Sequence, residues 1–224
     1  MDDLALIIFD VDGTLVDSQS EILAAMNDAF AAISQPVPKR EAILATVGLS
    51  LEQAMMQLLE MPVEDSVITA AVRAYKHSYR TSREAGAMSV LYPGISDLLR
   101  ECTQHENWVL GIATGKSRRG VDALLDYYDW NGVFQTIQTA DMHPSKPNPA
   151  MLQATFDETG VSGRRSLFIG DTTHDMEMAV AAGIGFVGVS WGYHSIDRFD
   201  AAYRVAETPQ SVYQAITDWL ERET

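Results

Sequence analysis

Short runs of apolar residues bounded by turn signals recur at residues 4–10, 108–114, 133–139, 166–170, 185–189 and, more weakly, 203–206. Several are apolar throughout rather than alternating, as strands covered on both faces require, and segments of helical period separate them from residue 95 onward. Those segments are 95–105 after the Pro93-Gly94 turn, 118–128, 149–159 ending at Gly160, and 176–182 ending at Gly183. Glycine just past the last periodic residue is a C-cap signal. A final helix has Thr208 as its N-cap, Pro209 at its first position, and Val212, Ile216, Trp219 and Leu220 on one face. The alternation of strand and helix predicts a parallel α/β sheet.

Between the first strand and Pro93 the texture changes. Ile22, Leu23, Met26, Phe30 and Ile33 keep helical spacing, as do Ile68, Val72, Tyr75 and Tyr79, and no strand pattern stands out. Ser50 and Gln53 match a capping box that would start a helix at Leu51, while Pro36, Pro38 and Pro62 fall in loops. Residues 16–86 therefore read as an all-helical domain inserted after strand one, with 1–15 and 87–224 as the α/β core.

A chain of 224 residues, 46% hydrophobic and 21% charged, is long enough for a sizeable core carrying such an insert. Its formal charge of −15 argues against nucleic acid or an anionic membrane as partner. It also means that an anionic substrate would need positive charge concentrated locally in the site. Cys102 is the only cysteine and reads as a buried apolar filler beside Leu98 and Leu99. Met1 leads through two aspartates into an apolar run without the basic start of a signal peptide, and no stretch is long enough to span a bilayer. A cytoplasmic location is expected.

Four motifs carry candidate chemistry. Asp10-Val11-Asp12-Gly13-Thr14 follows the first strand without a break, so two carboxylates at i and i+2 approach one small volume once the chain turns at Gly13. That closeness calls for a cation or a shared proton; taken alone, the two aspartates would equally open a loop or cap a helix. Thr114-Gly115-Lys116 ends the second strand with a hydroxyl and an approachable N–H, an oxyanion cradle. Lys146-Pro147 supplies positive charge just before a helix. Gly170-Asp171-Thr172-Thr173-His174-Asp175 ends a strand with carboxylates at i and i+4, the hard oxygen ligands that Mg²⁺ prefers.

In this order and strand context the set resembles the four motifs of the haloacid dehalogenase superfamily. Asp-Gly-Thr-Leu-x-Asp-Ser, Tyr92-Pro93-Gly94 and the run from Gly170 to Ala179 are similar to its phosphoglycolate phosphatase-like branch. The resemblance implies a Rossmann-like doubly wound parallel sheet of order 5-4-1-2-3 with the helical insert as a small mobile cap. It implies a phosphatase of a small phosphomonoester with Asp10 as nucleophile and Asp12 as general acid and base. Thr114, Gly115 and Lys146 would then hold the phosphoryl group. Mg²⁺ would be bound by Asp10, the Asp12 carbonyl, Asp171 and, directly or through water, Asp175. A β-phosphoglucomutase-like mutase shares these motifs, and a phosphorylatable signalling module is the alternative from a different class.

Other signals have plainer readings. Gly183-Ile184-Gly185-Phe186-Val187-Gly188 spells a dinucleotide fingerprint but closes a helix and enters a strand, the reverse of the required context. His143 and His174 lack a second ligand at zinc spacing and read as loop residues. Arg73, Lys76, Arg80 and Arg83 form a basic stripe that either meets a substrate carboxylate or is solvated. Trp191 to His194 either borders the site or packs between helix and sheet.

Overall fold

The computed structural model describes residues 4–222; Met1 to Asp3, on which the reading of the amino terminus partly rests, lie outside them. In chain order the elements begin with β1 (Ala5–Phe9), β2 (Val16–Asp17) and four helices, α1 (Gln19–Ala32), α2 (Arg40–Leu44), α3 (Leu51–Leu59) and α4 (Ser66–Glu84). Then follow β3 (Val90–Leu91), α5 (Ile95–Cys102), β4 (Trp108–Thr114), α6 (Arg118–Tyr127), β5 (Thr136–Thr139) and α7 (Ala150–Thr159). The chain ends with β6 (Ser166–Gly170), α8 (Thr173–Ala182), β7 (Gly185–Val189), β8 (Arg204–Ala206) and α9 (Pro209–Arg222).

Six strands form one parallel sheet in the order β5-β4-β1-β6-β7-β8. Counting the first five core strands along the chain, this is the order 5-4-1-2-3, with β8 added at the edge beside β7. The central strand β1 explains the doubly wound arrangement. Its Ala5, Ile7 and Phe9 pack with α5, α6 and α9, while Leu6 and Ile8 pack with α7 and α8 on the other face. All five are fully buried, and each of the larger ones contributes about 1.5–3 kcal/mol by leaving water. Gly160 and Gly183 end α7 and α8 in the left-handed region, at φ 69° and 71°. Thr208 caps α9 by accepting from the Ser211 N–H at 3.2 Å. The glycine-rich run after α8 is a helix cap followed by β7, and Cys102 is buried. Among the described residues no helix is long and apolar enough to cross a membrane.

Helices α1 to α4 bury a cluster of their own, centred on Met26, Phe30, Ile43, Met55 and Ile68. The sequence pattern missed two features here. β2 and β3 pair antiparallel where the insert leaves and rejoins the core, and two-residue strands are too short to show a period. The capping box at Ser50 is half made: Ser50 Oγ accepts from Gln53 N, but the Ser50 N–H donates to Ser145 Oγ at 2.8 Å. The helix start is as expected; its free donor is used to dock on the core.

Candidate active site

Asp10 follows the last residue of β1, and its N–H donates to Ile169 O of β6 at 2.9 Å, keeping it in register at the carboxyl end of the sheet. The chain then folds back, with Leu15 and Val16 N–H both donating to Val11 O. Gly13 makes the turn at φ 89°, and a Cβ there would lie 2.2 Å from Asp171 Oδ2. The position needs glycine for its backbone and for its closeness to the neighbouring loop. Thr14 Oγ1 donates to Asp171 Oδ1 at 3.1 Å, and the Tyr193 N–H donates to Asp171 Oδ2 at 2.8 Å.

Lys146 joins the two acidic motifs. Its Nζ donates to Asp10 Oδ1 at 2.7 Å and to Asp175 Oδ1 at 2.6 Å, with all three side chains buried. Asp175 Oδ2 accepts from the N–H and hydroxyl of Thr172, completing a capping box that starts α8. Asp12 pairs with a different cation: Lys116 Nζ donates to Asp12 Oδ1 at 2.6 Å and to the Tyr79 hydroxyl at 3.3 Å. Thr114 is buried at the end of β4, and its Oγ1 accepts from the Lys116 N–H. A Cβ on Gly115 would lie 2.6 Å from Gly48 O, so only glycine lets the loop of the insert approach this closely.

Asp10, Asp171 and Asp175 each offer an oxygen within 4.8 Å of the others. Burial pushes the Asp10 carboxyl up to about 7; Lys146 opposes the rise, and Asp175 and Asp12 reinforce it. Burial also raises Asp171 well above the ordinary carboxylate range, with Asp175 and Asp10 adding to it. Burial by itself lowers the Lys146 pKa, but Asp10 and Asp175 more than reverse that and keep it a cation. One lysine among three buried carboxylates leaves excess negative charge, and the all-oxygen donor set suits a hard divalent cation.

The sequence-predicted residues Asp10, Asp12, Thr114, Gly115, Lys146, Asp171 and Asp175 thus stand around the end of the central strand. The motifs did not reveal the Lys116–Asp12 pair, the part of Tyr79 in it, or the hydrogen bonds by which Thr14 and Tyr193 hold Asp171. Most of the basic stripe is engaged within the protein: Lys76 pairs with Glu52 at 3.1 Å, Arg80 with Glu84 at 3.9 Å, and Arg83 donates to the carbonyls of Arg119 and Gly120. His143 donates to Gln138 Oε1, and His174 donates to Ala45 O of the insert at 3.4 Å. Trp191 to His194 both borders the site and packs, since Trp191 Nε1 donates to Thr14 O and His194 Nδ1 accepts from the Thr173 N–H. Between the helices and the sheet lies a cavity of about 1400 Å³, lined by Asp10, Asp12, Thr114 and Lys116 on one side and α4 on the other.

Carboxylates, a lysine and the Thr114-Gly115 turn thus gather at the carboxyl ends of the strands, where open α/β sheets bind their ligands, and the family and relatives this chain matches make it a hydrolase of phosphoric monoesters. The chain belongs to the haloacid dehalogenase-like hydrolases, whose family profile matches residues 7–189. It is 40% identical over 199 residues to the "Probable phosphatase IndB" of Dickeya dadantii, covering 88% of this chain and 86% of that one. It is 32% identical over 202 residues to the phosphoglycolate phosphatase of Pseudomonas putida, covering 88% and 73%. A hydrolase structure from Pseudomonas syringae superposes with a TM-score of 0.82 at 26% identity, covering 96% of this chain and 98% of that one.

Proposed function

We propose that this protein is a cytoplasmic, Mg²⁺-dependent phosphatase that hydrolyses a small phosphomonoester through a phosphorylated Asp10, with residues 16–86 acting as a cap. The observation that carries this reading is the convergence of Asp10, Lys146, Asp171 and Asp175 from three separate segments on one buried point. Asp10, Asp171 and the Asp12 main-chain carbonyl would hold Mg²⁺, which supplies neutralisation of phosphate charge when bound. Asp175, beside them in the same buried cluster, would reach the ion directly or through water.

Asp10 attacks phosphorus, and the bond to the leaving oxygen breaks as Asp12 gives that oxygen a proton. Thr114, the Gly115 N–H and Lys146 hold the phosphoryl oxygens during the transfer. Water then attacks the phosphoryl group, Asp12 takes its proton, and Asp10 is released with inorganic phosphate. The relatives called phosphoglycolate phosphatase make phosphoglycolate the reference substrate. Turnover should stop after exhaustive chelation and return with Mg²⁺, and acid quenching followed by peptide mass spectrometry should find the extra phosphate on the Asp10 peptide alone. Full activity in chelator, or a label elsewhere, would overturn the reading.

A further inference from the structure

We infer that the phosphate ester taken by this site has a large, uncharged, ring-bearing alcohol of nucleoside type, rather than a two-carbon acid. The inference rests on the phosphatase reading above and concerns the part of the cavity beyond the reacting atoms.

Size is the first observation. The cavity holds about 1400 Å³ with the cap seated on the core at three places: Ser50 on Ser145, Ala45 on His174, and Tyr79 with Arg83 on Lys116 and the Arg119–Gly120 carbonyls. These contacts come from α4 and from the loop between α2 and α3, so the volume belongs to an insert that touches the core. Pockets for drug-sized ligands run from about 300 to 1000 Å³. A glycolate ester would leave most of this space to water.

Lining chemistry is the second. Beyond Lys116 the wall is built from Ile22, Met26, Val47, Leu51, Val72 and Tyr75. Water against such a surface is costly, and an uncharged ring of suitable breadth would displace it. Charge is the third. A substrate carboxylate needs a cation, yet Lys76, Arg80 and Arg83 are held by Glu52, Glu84 and two backbone carbonyls, which leaves Arg73 and Arg119, both at the exposed edge. The cations therefore shape the cavity's rim instead of offering a pocket for a second anionic group.

The test compares kcat/KM of the Mg²⁺-loaded enzyme for uridine 5'-phosphate, adenosine 5'-phosphate and 2-phosphoglycolate, with p-nitrophenyl phosphate as reporter of the chemistry. At least one nucleotide should exceed phosphoglycolate by tenfold or more. Val72→Trp, which fills the cavity from α4, should lower the nucleotide-to-phosphoglycolate ratio at least tenfold; a ratio is insensitive to loss of folded protein. Turnover of p-nitrophenyl phosphate with phosphoglycolate equal to or better than both nucleotides would overturn the inference and leave the phosphatase reading standing. A ratio unmoved by Val72→Trp would also overturn it. Release of phosphate from none of the four esters would overturn both.

Discussion

Asp10 and Asp12 are chemically identical side chains that the fold places in different company. Both line the cavity, but Asp10 shares Lys146 with Asp175, whereas Asp12 takes Lys116. Asp10→Asn should abolish turnover and labelling with little loss of fold, because amide and carboxylate have nearly the same shape. Asp12→Asn should keep some transfer from p-nitrophenyl phosphate, whose leaving group needs no proton, and lose most transfer from alkyl esters. Single-turnover assays on both ester types check this, and equal losses on both would refute the separate roles. The raised Asp10 pKa has its own consequence. At about 7 it lies above the ordinary 3.8, so the folded chain binds this proton more tightly than the unfolded one. That contribution to metal-free stability is present below 3.8 and is lost as pH rises towards 7. Mg²⁺ binding near pH 6.5 should therefore expel up to about one proton. Calorimetry in two buffers of different ionisation enthalpy measures it, and identical heats would rule it out.

At the scale of elements, three of the four chemical motifs were legible because they sit where a strand stops. Asp10, Thr114 and Asp171 follow or end apolar runs whose length and flanking turns mark them in the sequence, and strand ends are where an α/β sheet collects its ligands. Contacts set by tertiary docking left no such mark. Ser50 looks like an ordinary helix cap until its N–H is seen to reach Ser145, and the basic stripe looks free until its partners are in view. Lys116 belonged to a recognisable cradle, but its pairing with Asp12, 104 positions away, follows only from β4 lying beside β1. Tyr79 is the extreme case: on α4 it fits the helical period of an apolar face, yet its hydroxyl reaches across to Lys116 while its ring stacks on Tyr75. Tyr79→Phe keeps the ring and removes one hydrogen bond worth about 0.5–1.5 kcal/mol. If that bond helps to seat the cap, kcat/KM should fall by up to about tenfold with an unchanged melting temperature. A loss in melting temperature that matches the kinetic loss would assign Tyr79 to packing alone.

The molecule as a whole works against its own substrate. A formal charge of −15 repels a phosphate dianion at long range, while the cavity mouth mixes Arg73, Lys76, Arg80 and Arg119 with Glu52, Glu84 and Asp141 and is close to balanced. At about 10 mM ionic strength the screening length is about 30 Å, so an approaching anion feels the net charge of the whole protein. At about 150 mM it shrinks to about 8 Å, and only the mouth acts. With Mg²⁺ held in constant excess, kcat/KM should therefore rise across this range, and kcat, which reports the bound state, should stay level. The measurement is a salt titration with a non-coordinating electrolyte such as sodium perchlorate kept below concentrations that perturb folding. A fall in kcat/KM would mean that the mouth's cations govern approach even at low salt, and that capture is steered by the cap rather than opposed by the net charge.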